Sequence, residues 1–283
     1  MRRSVRWHPL VKGQATMTRL AGKVVIVTGG GSGLGRAMAT RFAREGASVL
    51  VADINEPGGV QTVAQIQTEL SADDRDRVAF LTMNVAEEAD CAAAVEDAVS
   101  RWGRLDVMVA NAGIGAPGSI ASLSLDAWER VIKVNLTGVF LCAKYAFRAM
   151  RQNPAPAGGV ILATASVAGL EGTPGLGAYG PTKAAVIQLV KTLALEGARY
   201  NIRANALCPV WTQTPMVDAF AAAARSGNPE QAKEQLRSVV PLGRLGQPED
   251  VANAALYLVS DEASFISGVA FPVDGAHTAT THV

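Results

Sequence analysis

Val24-Val25-Ile26-Val27-Thr28-Gly29-Gly30-Gly31-Ser32-Gly33-Leu34-Gly35 is the stretch on which the fold turns. Its first four residues are apolar and β-branched, the composition of a strand buried on both faces. A glycine-rich turn follows. Then Leu34, Met38 and Phe42 recur at the four-residue spacing of one helix face. Strand, glycine turn and helix in that order make a phosphate site the expectation. Glycines let backbone N–H groups approach a pyrophosphate closely, and the helix N-terminus adds partial positive charge. The bland alternative is a tight turn that holds no ligand.

Outward from this unit the chain keeps alternating. Further strands are expected at 49–52, 78–82, 107–110, 160–165, 202–207 and 269–273. Helices are expected at 57–70, 87–102, 126–152 (one or two), 178–198 and after Pro248. Such alternation implies one α/β domain, a doubly wound parallel sheet of seven strands with helices on both faces. Residues 153–159 read as a loop, and 212–246 as the least regular segment, a cover over a substrate. Residues 1–19 are basic and lack the apolar core of a secretory signal, so a disordered extension is expected before a single domain spanning 20–283. In sheets of this kind ligands lie beyond the carboxyl ends of the strands. Thr28–Gly35, Asp53, Asn84, Asn111–Gly113, Ser166 and Pro209 all follow expected strands.

Tyr179 and Lys183 stand four apart on the 178–198 helix and so share a face. A phenol ordinarily ionises near pH ~10. A neighbouring ammonium favours phenolate and lowers that value. The pair is therefore a candidate general acid/base for a hydroxyl proton. Asp53 ends the second strand at nearly the ~20-residue spacing expected of a carboxylate that binds ribose hydroxyls. It would repel a 2′-phosphate, and neither residue 54 nor 55 is basic.

Thr28-Gly29-x-x-x-Gly33-x-Gly35, Asn111-Ala112-Gly113, Asn135, Ser166 and Tyr179-x-x-x-Lys183 together resemble the short-chain dehydrogenase/reductase family, from about residue 20 to 275. The resemblance implies a Rossmann-like fold and hydride transfer between a secondary alcohol or ketone and a nicotinamide dinucleotide. Tyr179 would exchange the hydroxyl proton, and Lys183 would lower its pKa and hold the nicotinamide ribose. Ser166 would bind the substrate oxygen. Asn135 would fix a helix distortion and a water linking Lys183 to solvent. The cofactor would lie along Thr28, Gly29, Ser32, Gly33, Leu34, Gly35, Asp53, Ile54, Asn84, Val85, Asn111, Ala112 and Gly113. It would continue past Tyr179 and Lys183 to Pro209, Val210, Thr212 and Thr214, the last against its carboxamide. Three departures stand out. Ser32 occupies a position where NADP-using relatives often carry a base, which with Asp53 favours NAD. Asn84 replaces the usual Asp. Val210 replaces the usual Gly, which puts the local backbone angle in question.

Ser166, Ala168, Leu170, Tyr179 and Trp211 are the expected substrate contacts, with Ile114, Gly115, Gly172, Pro174 and Val210 completing a small, apolar wall. A neutral secondary alcohol or ketone fits it. The net charge is +1 with no basic stripe, which excludes nucleic acid as a partner. No apolar run reaches the roughly 20 residues of a membrane span. Cys91, Cys142 and Cys208 give neither a disulfide framework nor a metal cluster, which suits the cytoplasm. The three histidines, at 8, 277 and 282, lie near the termini, and no metal is expected. The resemblance implies a homotetramer that associates through helices near 138–152 and 178–198. Two further readings compete with an NAD-dependent alcohol dehydrogenase. One is an NADPH-dependent β-ketoacyl carrier protein reductase, which the 241–251 segment also resembles. The other is a non-catalytic dinucleotide-binding scaffold.

Overall fold

The computed structural model describes residues 18–223 and 227–279. The extension expected at 1–19 lies outside the described residues except for its last two. Of these, Arg19 is tied down, its amide donating to Glu45 Oε2 at 3.1 Å and its guanidinium pairing with Glu262 at 2.6 Å.

β1 (Val24–Thr28), β2 (Ser48–Asp53), β3 (Val78–Thr82), β4 (Val107–Ala110), β5 (Gly159–Thr164), β6 (Ile202–Pro209) and β7 (Ala270–Val273) form one sheet in the order β3-β2-β1-β4-β5-β6-β7. Every pairing is parallel. All five β1 residues are buried, as its unbroken apolar run requires. The chain leaves β1 toward β2 and β3, then returns to lay β4 on the other side. The crevice beyond the carboxyl ends of β1 and β4 is therefore the switch point where ligands bind in such sheets.

Strand side chains alternate between the two faces. Val24 and Ile26 join Met108, Ile161 and Ala163 on one side, covered by α3 (Glu88–Trp102), α5 (Gly138–Met150) and α6 (Tyr179–Gly197). Val25 and Val27 join Val49, Val51 and Leu162 on the other, covered by α1 (Gly33–Arg44), α2 (Glu56–Glu69) and α9 (Pro248–Val259). The stripe expected on α1 is present: Met38, Ala39, Phe42 and Ala43 are buried. A fully buried Phe or Leu contributes about 1.5–3 kcal/mol by removal from water, so these two layers hold the sheet. Cys91 and Cys142, scattered in sequence, meet between α3 and α5. The hydrogen bond between their thiols lowers the pKa of Cys91 and raises that of Cys142, which burial also pushes up.

Two segments differ from expectation. The helix read over 126–152 is α4 (Leu125–Ile132), a π turn (Lys133–Thr137) and then α5. The segment read as irregular holds α7 (Pro215–Ala222) and α8 (Pro229–Ser238). Both start on a capping side chain followed by proline. Thr214 Oγ1 accepts from the Val217 amide, and Asn228 accepts from the Glu230 and Gln231 amides. Among the described residues no helix is long and apolar enough to cross a membrane.

Candidate active site

The strand ends are stitched together by the motif residues themselves. Thr28 Oγ1, at the end of β1, donates to Val109 O at 3.2 Å and accepts from the amides of Asn111 and Ala112 at 3.0 and 3.1 Å. Asn111 returns a bond from Nδ2 to Thr28 O at 2.9 Å, and its Oδ1 accepts from Thr164 Oγ1 at 3.0 Å. One network thus joins the tips of β1, β4 and β5.

The glycine turn is a cradle that side chains would fill. A Cβ at Gly35 would lie 2.0 Å from Gly29 O, and one at Gly29 would lie 3.0 Å from Ala112 Cα. Gly29 and Gly33 also have φ of 66° and 50°, a region costly for other residues. Asp53 closes the cradle: its Oδ2 accepts from the Gly31 amide at 2.8 Å and its Oδ1 from the Asn55 amide at 2.8 Å. Ser32 precedes α1 as its cap, and Thr214 leans over Gly33. Ile54, at the tip of β2, is exposed, and Val85 packs on Gly138. Asn84 Oδ1 accepts from the Ala86 amide at 3.1 Å, which leaves its amide nitrogen to point elsewhere. These residues fit a dinucleotide: a side-chain-free turn at a helix N-terminus for the diphosphate and a carboxylate at the next strand end for a ribose.

Deeper in, Asn135 sits in the π turn and is fully buried. Its Oδ1 accepts from the Ile114 amide at 2.8 Å and its Nδ2 donates to Ile114 O at 2.9 Å, so it clamps the loop after β4. Asn135 Oδ1 and Lys183 Nζ both border Gly113, 3.3 and 3.5 Å from where a Cβ would be. Lys183 is buried and donates to Thr164 O at 2.7 Å. Its Nζ lies 5.3 Å from the centre of the Tyr179 ring, as the four-residue spacing requires. Ser166 lines the same cavity as Tyr179, accepts from the Ala168 amide at 3.2 Å and reaches Pro209 O at 3.4 Å.

The electrostatics correct one expectation. Burial pushes the Tyr179 phenol up to about 12, against a smaller lowering from its Ser166 hydrogen bond. Burial pushes Lys183 down to about 8. Each group is driven toward its neutral form, because desolvation is the largest influence on both. The ring itself is half-buried, its open edge on a cavity. Cys208, on β6 behind both, is raised to about 11 by burial.

That cavity holds about 560 Å³. Ser166, Ala168, Tyr179, Val210, Trp211, Thr212 and Thr214 border it, as do Leu34 and Pro209 of the expected cofactor contacts. Val210 shows no left-handed backbone, so its replacement of glycine is accommodated. Leu170 departs from expectation: it borders a separate depression with Ile120 and Pro181, because the short turn after Ser166 carries it past the cavity wall. Ile114 turns instead into a small cluster with Ala116, Val131 and Ala178. Within the segment read as a cover, Met216 and Phe220 of α7, Leu236 of α8 and Val239 just beyond it border the cavity, though the sequence reading did not single them out; nor did it place Glu171 or His277, which also border it. The Thr214-Pro215 and Asn228-Pro229 helix starts were the available signal for the roof. Nothing local could have marked His277, because its position depends on where β7 lies in the sheet.

The family model described as enoyl-(acyl carrier protein) reductase matches residues 29–278. Cyclohexanol dehydrogenase from Acinetobacter sp. (strain SE19) is 40% identical over 90% of this chain and 95% of its own length. The crystal structure of levodione reductase superposes with a TM-score of 0.88 at 34% identity, covering 93% of this chain and all of that one. A 3-ketoacyl-(acyl-carrier-protein) reductase from Brucella melitensis, complexed with NADH, superposes with a TM-score of 0.81 at 36% identity over 92% of this chain and 99% of that one.

Proposed function

The chain belongs to the short-chain dehydrogenase/reductase family, and from that premise we propose that it interconverts a secondary alcohol and a ketone using NAD(H). The observation that carries this reading is that Tyr179 and Ser166 border one largely apolar cavity with Lys183 buried behind them. When bound, the nicotinamide dinucleotide gives or takes the hydride. The protein's own residues handle the proton. In oxidation Tyr179 Oη takes it from the alcohol, and in reduction it returns it to the ketone oxygen. Ser166 Oγ donates to that oxygen and steadies the charge that gathers there. Lys183, below its value of about 8, is a cation at neutral pH and favours the phenolate as it forms. Asn135 holds the loop of Asn111 to Ile114 in place beneath the pair.

Asp53 and Ser32 support NAD over NADP, since a carboxylate at the ribose end repels a 2′-phosphate and no base stands in the turn. Asp53→Ala should relax that preference at least tenfold in the ratio of NAD to NADP turnover, and an unchanged ratio would show that the carboxylate does not read the ribose. The wider test is NADH and NADPH titration followed by turnover on cyclic and open-chain secondary alcohols. Failure to oxidise any of them with NAD would sink the reading. The second reading, a β-ketoacyl carrier protein reductase, is favoured by the Brucella melitensis likeness. It requires reduction of acyl carrier protein thioesters in the same assay, with NADPH preferred, although the Brucella melitensis enzyme itself is complexed with NADH. We place the enzyme in the cytoplasm, in keeping with its three free cysteines, and as a homotetramer built on α5 and α6, where Phe140 and Leu195 are exposed.

A further inference from the structure

We propose that Glu171, fixed by His277, is a second polar contact in the substrate cavity and selects substrates that carry an additional hydroxyl group. This rests on the secondary-alcohol reading above. Of the described residues bordering the cavity, only Glu171, Tyr179 and His277 have ionisable side chains. Several other hydroxyls there are engaged within the protein. Thr164 Oγ1 donates to Asn111 Oδ1 at 3.0 Å, Thr212 Oγ1 to Val210 O at 2.8 Å, and Thr214 Oγ1 to Thr212 O at 3.2 Å.

Glu171 comes from the turn after Ser166, and His277 from the segment after β7. The imidazole is held at both nitrogens, Nδ1 at 2.8 Å from Val239 O and Nε2 at 2.8 Å from Glu171 Oε1. A carbonyl oxygen only accepts, so Nδ1 is the donor there, and Nε2 faces Oε1. This anchors one oxygen of the Glu171 carboxyl and leaves Oε2 for a ligand. The side chain is 42% exposed and borders the cavity. A carboxylate oxygen accepts and cannot donate. The group it complements is a hydroxyl, whereas a substrate carboxylate is repelled.

The test measures kcat/KM for cyclohexanol and for trans-cyclohexane-1,4-diol with NAD. In parallel, it measures the binding of both to the protein–NADH complex by calorimetry. The wild type should favour the diol by about tenfold in both measurements, the worth of one hydrogen bond to a charged acceptor. Glu171→Leu should bring both ratios to about one, while Glu171→Gln, which keeps an acceptor, should retain part of the preference. Should Glu171→Leu fail to fold, His277→Ala, which frees the carboxyl, should lower the ratios several-fold. No diol preference in the wild type, or a preference that survives both Glu171→Leu and His277→Ala, refutes the proposal. Tighter diol binding without turnover of either alcohol keeps the subsite and rejects the dehydrogenase reading instead.

Discussion

Tyr179 and Lys183 show how one site can obey a spacing rule and still titrate against it. Their four-residue separation does put the ammonium beside the ring, at 5.3 Å from its centre. Burial nonetheless raises the phenol to about 12 and lowers the amine to about 8. The consequence for pH has a definite sign. Oxidation needs the phenol without its proton, a form that grows as pH rises toward about 12. Its kcat/KM should therefore climb above about pH 7 and bend over above about 8, where Lys183 loses the charge that favours the phenolate, and ketone reduction should fall above the same point. An oxidation profile level over that range would mean that another group carries the proton. Tyr179→Phe keeps the ring and removes the hydroxyl. It should cut turnover by about 10³-fold or more while NADH binding, followed by fluorescence titration, changes less than threefold. Substantial remaining turnover would reject the proton-transfer role.

At the level of elements, the site depends on two departures from regular structure. The π turn at Lys133–Thr137 swings Asn135 inward, where a straight helix would carry its side chain past the loop. There it satisfies both backbone groups of Ile114, at 2.8 and 2.9 Å, with no exposure to solvent. Asn135→Ala leaves a partly buried N–H and a partly buried C=O without this partner. It should cost about 2–4 kcal/mol in urea unfolding, and Asn135→Asp, which keeps the acceptor, should cost less. A loss below about 1 kcal/mol would mean that the clamp is not what holds the loop. The second departure is the glycine turn, where the close approach of Gly35 to Gly29 O admits no side chain at all. The capped starts of α7 and α8 work the other way. They make regular helices out of a stretch whose composition reads as loop, and so supply the cavity with a roof.

At the scale of the whole molecule, the outer faces of α5 and α6 carry exposed large apolar side chains beside the charged Arg151, Glu196 and Arg199. Phe140 is 47% and Leu195 82% exposed, and Leu195 shares a depression with Phe147 and Tyr200, which meet edge to face. If the homotetramer forms there, Leu195→Asp should shift sedimentation toward smaller species, and an unchanged wild-type tetramer in the variant would place the contact elsewhere. The sequence determined what local chemistry can determine. The β-branched run of β1 required a central buried strand, the glycines required a bare turn, and the order of strands with polar residues at their ends required a site along one edge of the sheet. It also placed Ser166, Tyr179, Trp211 and Val210 on one cavity, because each follows a strand or begins a helix whose direction the pattern fixes. Only the tertiary structure decided the rest. Leu170 left the cavity because a single short turn rotated it away, and His277 entered because β7 pairs with β6 and brings the chain's end beside Glu171. The protonation of Tyr179 and Lys183 was likewise hidden, since desolvation depends on every atom packed around a group and on none of its neighbours in sequence.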